Sequence, residues 1–135
     1  MKVSCNVEGL DTLQGKITRQ KIRIKREAKK VCFAEAEKIM KESLAEVPRD
    51  TEALADSAFI EQQENGDVIF GYGKDNVQTN PKSGRLTSEY MMAVHERLDV
   101  HHDVGKAKFL EDPINRNKGK LEKSFAQKLK RAFGL

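Results

Sequence analysis

The chain has no tryptophan, 6% aromatic residues, three prolines and two cysteines in 135 residues. With so few aromatics, any core is small and mainly aliphatic, and the length suits one domain, residues 1–135. No apolar run approaches the roughly 20 residues that span a bilayer. The opening "MKVSCNVEG" lacks the apolar stretch of a signal peptide. Folding in a cytosol, with no membrane contact, is therefore expected. Cys5 and Cys32 are too far apart for a metal-binding pair and read as free, buried thiols, Cys5 in a strand and Cys32 within a helix.

Catalytic frames are missing as well. There is no serine on a nucleophile elbow and no recognisable pair of carboxylates. The "GYGK" at Gly71–Lys74 lacks the four-residue gap and the following Ser or Thr of a phosphate-binding loop. These absences point away from an enzyme, and no cofactor is expected.

What the chain does have is charge, unevenly placed. Residues 1–30 carry nine basic and three acidic side chains, and residues 31–70 carry three and ten. Residues 71–105 hold four and five, and residues 106–135 hold nine and three. Basic ends and an acidic middle suit copies that pack positive surface on negative, or a basic face offered to nucleic acid.

The pattern of apolar residues predicts an α+β domain: a small, mostly antiparallel sheet packed against a long N-terminal helix and a C-terminal helix. "KVSCNV" reads as a short strand. "DTLQ" then resembles a capping box, with Asp11 as cap and Gln14 three residues on. From Leu10, Leu13 and Ile17 through Ile24, Val31, Ala36, Ile39, Ser43 and Val47, one apolar stripe marks a helix of about 35 residues. Pro48 ends it, and Asp50 or Thr51 is placed to cap a short helical turn through Leu54. "AFIEQQ-ENGD-VIFGYG" reads as a hairpin, with Asn65-Gly66 in a type I′ turn. Lys74–Glu89 has no period, and a mobile loop at about 74–88 is expected to order against a neighbour. "YMMAVHERL" reads as a short helix. Leu121, Phe125, Leu129 and Phe133 then keep an i, i+4 stripe along a basic last helix.

All three histidines fall in "VHERLDVHH", Val94–His102. On a helix, His95, Glu96, Asp99 and His102 would share a broad polar face. A zinc-protease helix needs its second histidine four residues after the first, where Asp99 stands instead. A polar surface or subunit contact is the expectation, with no metal bound. The segment Gly15–Lys30 has eight Lys or Arg against one acid, Glu27. Phosphate contact through this face is the alternative reading, although aromatic residues for base stacking are missing from it.

The order of elements carries one further signal. Pro48, Asp50, Thr51, Leu54 and Ser57 form "Pro-x-Asp-Thr-x-x-Leu-x-x-Ser" between the long helix and the hairpin. Tyr90, Val94, His95 and Glu96 follow, then Phe109 and Leu110 in "KFLEDPI". Taken together these resemble the neck and tail-completion family of long-tailed bacteriophages, over nearly the whole chain. Glu52 replaces the glycine usual in that family, a change compatible with the first turn of a helix.

The resemblance implies a virion structural protein at the head–tail junction, assembled in the host cytoplasm. Copies would form a ring, taken as a hexamer, between a head-connector or head-completion protein and a tail tube or tail terminator protein, near packaged DNA. Hairpins of neighbouring subunits would extend a sheet around the ring, with helices outside. Arg19, Lys21, Arg23, Lys25, Asn76, Val77, Arg85, His101 and His102 are the candidate interface residues.

Overall fold

The computed structural model describes residues 1–74 and 79–135. Six elements follow in order: α1 (Leu10–Glu46), α2 (Ala53–Asp56), β1 (Ala58–Gln62), β2 (Val68–Tyr72), α3 (Thr87–Glu96) and α4 (Glu111–Ala132). The expected α+β architecture is present, with long helices at either end and a two-stranded antiparallel sheet against them.

Helix α1 begins at Leu10 after Gly9, and the Leu13 amide already donates to the Gly9 carbonyl at 3.0 Å. That bond draws Asp11 into the first turn, so the expected capping box does not form. The carboxylate instead faces the positive end of the helix dipole. The expected strand over "KVSCNV" is also absent. A strand needs a partner, and the only sheet among the described residues is the hairpin, which packs against the later part of α1. Cys5 is accordingly exposed and Cys32 only half-buried, so neither is the fully buried thiol expected.

Pairing runs from Ala58 opposite Tyr72 to Gln62 opposite Val68. The turn is not type I′. Gly66 has φ +100°, whereas Asn65 is not among the residues with positive φ. The Gly66 amide donates to Gln63 O (3.0 Å), and the Gln63 amide closes on Asp67 O (2.8 Å). The three-residue loop between them is a turn followed by a left-handed glycine, a common hairpin alternative. Asn65 supports it by accepting the Asp67 amide at 3.0 Å.

The core lies where the second half of α1, the hairpin, α2 and the start of α4 converge. Met40, Val47, Leu54, Ala55, Tyr72 and Phe109 form it. Phe109 is 2% exposed, and full burial of a phenylalanine contributes about 2–3 kcal/mol. Its ring meets Tyr72 edge-on at 5.2 Å and His95 edge-on at 5.0 Å. Tyr72 shares a 2.7 Å hydrogen bond with Ser43, which satisfies the hydroxyls of two buried side chains.

Helix α4 runs antiparallel to α1. Arg116 reaches Glu46 (2.5 Å), Ser124 donates to Glu35 (2.7 Å), Lys128 pairs with Glu35 (2.5 Å), and Arg23 lies over the Phe133 ring at 4.7 Å. The last contact marks where α4 ends. Residues 10–22 of α1 therefore continue beyond it as an arm of about 20 Å.

The histidine-rich segment wraps over the other end of α1. The Lys106 amide donates to Glu46 O at 2.9 Å, satisfying a carbonyl at the helix terminus. Gly105 sits so close that a Cβ there would lie 2.6 Å from Val47 and Pro48 backbone atoms. Of the loop expected at 74–88, Thr87 and Ser88 belong to α3, and Thr79 and Leu86 form a β-bridge. Asn76 and Val77 lie outside the described residues.

Candidate functional site

Two surfaces stand out, one at each end of α1. The first is a cleft of about 500 Å³. Pro48, Asp50, Thr51 and Leu54 line one side, and Tyr90, Val94 and the segment Val100–Val104 line the other. The chain builds it simply. Pro48 stops α1, the turn to α2 supplies one wall, and α3 with the loop after it supplies the opposite wall. Motif residues separated by some forty positions thus face one space.

Leu54 and Pro48 are buried, and Val100 and Val104 are exposed at the edge. Asp50 pairs with Lys82 at 2.6 Å, and Arg49 with Glu52 at 2.7 Å. His101 stands 3.8 Å from Asp103, both well exposed. Two polar atoms are buried here without a hydrogen-bond partner among the described residues: the Tyr90 hydroxyl and His102 Nε2. Buried groups of this kind carry a desolvation cost of about 1–3 kcal/mol until something pairs with them.

Other motif residues are structural. Ser57 Oγ donates to Leu54 O at 2.6 Å and closes the α2 turn. Asp50 and Thr51 do not cap α2, because Glu52 takes the capping position with φ 61° and no side-chain bond is made there. Glu52 is thus not in the first turn, as expected, but in the left-handed conformation immediately before it. Leu110 precedes α4 and packs on the core beside Phe109.

The four residues His95, Glu96, Asp99 and His102 do not share a helix face, since α3 ends at Glu96. Asp99 pairs with Arg97 at 2.9 Å instead. Folding brings Glu111 to His95 and Glu96, their ligand atoms within 4.8 Å. That trio is already an ion-pair network. Lys108 bridges Glu96 and Glu111, His95 Nδ1 meets Glu96 at 2.6 Å, and His95 Nε2 accepts the Glu111 amide at 3.3 Å. The Lys108 and His95 hydrogen bonds hold the Glu96 carboxyl below its ordinary value. A metal would have to displace the Lys108 ammonium. Sequence spacing could not reveal Glu111, which lies sixteen positions from His95.

The second surface is the arm. Leu10, Leu13 and Ile17 on the arm are 58, 53 and 60% exposed, and Ile24 just past it is 50% exposed. The stripe is buried only from Val31 onward, where the hairpin and α4 cover it. Around it are Lys16, Arg19, Lys21 and Lys25, which make no ion pair among the described residues, and Arg23. Arg85, the remaining candidate interface residue, is exposed, and its carbonyl accepts the amide of Asn80, which lines the cleft, at 2.9 Å.

Among the described residues no helix is long and apolar enough to cross a membrane. Compared with known proteins, the chain matches no family model, no curated protein and no solved structure, so the reading of both surfaces rests on its own residues.

Proposed function

We propose that this chain is a non-catalytic assembly protein of the bacteriophage head–tail junction, acting as a homo-oligomeric ring between head connector and tail tube. The observation that carries the reading is the apolar stripe held in water at the start of α1, Leu10, Leu13 and Ile17 on the arm and Ile24 just past it, on a helix whose stripe is buried from Val31 onward. A helix end with this stripe gains little from standing alone and much from a partner surface. Two features add support. The Pro48–Ser57 and Tyr90–Glu96 motifs that resemble the neck and tail-completion family converge on the cleft. The basic first half of α1 stands clear of the acidic residues that the basic α4 already pairs with, which suits heterologous contacts between copies. A hexameric ring would place its partners above and below, and its location would be the virion.

The unpaired basic residues of the arm favour a second reading, a nucleic-acid-binding protein. One experiment separates the two. Particle mass by light scattering and shape by negative-stain microscopy should give rings of fixed copy number, with weak DNA retention in a gel shift. A monomer that shifts duplex DNA with a steep salt dependence, lost when Arg19, Lys21, Arg23 and Lys25 are neutralised together, would replace the assembly reading with the second.

A further inference from the structure

We propose that the α1 arm of one copy seats its apolar stripe in the Pro48–Tyr90 cleft of the next copy. The inference rests on the assembly reading and names its contact. Leu13 and Ile17 are one helical turn apart and together present a ridge. The cleft offers apolar Leu54, Val94, Val100 and Val104 to receive it.

Charge agrees with shape. Residues 10–26 carry six basic side chains and one acidic, and the cleft is lined by Asp50 and Asp103 against one arginine, Arg49. The Tyr90 hydroxyl and His102 Nε2, buried beside the cleft without partners, are polar groups that a seated side chain could pair with once the walls part to admit it. A second arm is excluded as the occupant of the first, because two arms of net charge +5 would repel.

The contact has to be between copies. Ile17 and Glu46 are 29 residues apart on one continuous helix, a separation of about 44 Å at 1.5 Å per residue. The arm therefore cannot fold back onto its own cleft. Placing donor and acceptor surfaces at opposite ends of a rigid element makes the contact head-to-tail, the kind that closes rings or extends filaments.

The test uses two double variants. Leu13→Asp/Ile17→Asp disables the arm and leaves the cleft. Val100→Arg/Val104→Arg disables the cleft and leaves the arm. All four positions are exposed, and circular dichroism melts confirm that each variant folds. Each variant alone should be monomeric by light scattering, while an equimolar mixture should give a one-to-one dimer and nothing larger, since only one productive contact remains. As a second measurement, Ile17→Cys and Val104→Cys chains, both carrying Cys5→Ser and Cys32→Ser, should cross-link on oxidation.

A mixture that stays monomeric without cross-linking, while the unchanged protein assembles, overturns the arm-in-cleft contact. So does retention of full mass by either variant. An unchanged protein that is itself monomeric and never cross-links overturns this inference and the assembly reading together.

Discussion

Glu52 occupies a left-handed backbone conformation, φ 61°, at the position before α2. A non-glycine residue there costs about 1–2 kcal/mol, because Cβ crowds the following carbonyl. The Arg49–Glu52 ion pair offsets part of this, and such a half-exposed pair contributes about 0–1 kcal/mol. Glu52→Gly should therefore raise the melting temperature by about 2 °C, while Glu52→Ala should lower it by losing the ion pair without relieving the backbone. A glycine variant that melts lower than the parent contradicts this account. Spacing alone showed the substitution but not its geometry, since φ at one position depends on how the turn is closed by its surroundings.

Among the elements, the α1–α4 pair owes its register to Glu35, buried between the two helices. Burial pushes its carboxyl up, but hydrogen bonds from Lys128 and Ser124 outweigh that and hold it below the ordinary 4.5. A carboxyl with a lowered folded value stabilises fully above the unfolded value, and that contribution fades as pH falls through the lowered one. The melting temperature should thus drop below about pH 4.5 more steeply in the parent than in Glu35→Gln, which cannot titrate there. Equal slopes, followed by circular dichroism because the chain has no tryptophan, would remove Glu35 from the explanation.

Periodicity announced both long helices and the hairpin, because apolar spacing registers directly which face is covered. It gave no account of where covering stops. Leu13 and Val31 look alike in the sequence, yet α4 ends at Arg23 and leaves only the first in water. The same limit applies to "KVSCNV", whose alternation fits a strand that no neighbouring strand completes among the described residues. The cleft was half visible. The motifs named its walls, but only folding set Tyr90 and His102 opposite Pro48 and Leu54.

The whole molecule carries unpaired basic side chains on the arm, whereas most of its acidic side chains at the α2 turn are already paired within the chain. Assembly through such surfaces weakens as salt shortens the reach of charge, from about 10 Å at 0.1 M to about 3 Å at 1 M. The apolar part of the contact is not screened and should hold the oligomer together at high protein concentration. The midpoint of dissociation on dilution is expected to rise on the order of tenfold between low and high salt. A midpoint indifferent to salt would show that the charge blocks take no part.

Helix α1 has 37 residues without a break, and it links the arm to the core like a shaft linking two keyed ends. Adding one residue between them turns the arm's stripe by about 100°, while adding seven restores its phase to within about 20° and lengthens the shaft by about 10 Å. If the proposed contact between copies holds, the length of α1 can vary only by insertions that keep this phase, of which seven and eleven residues are the shortest within about 20°.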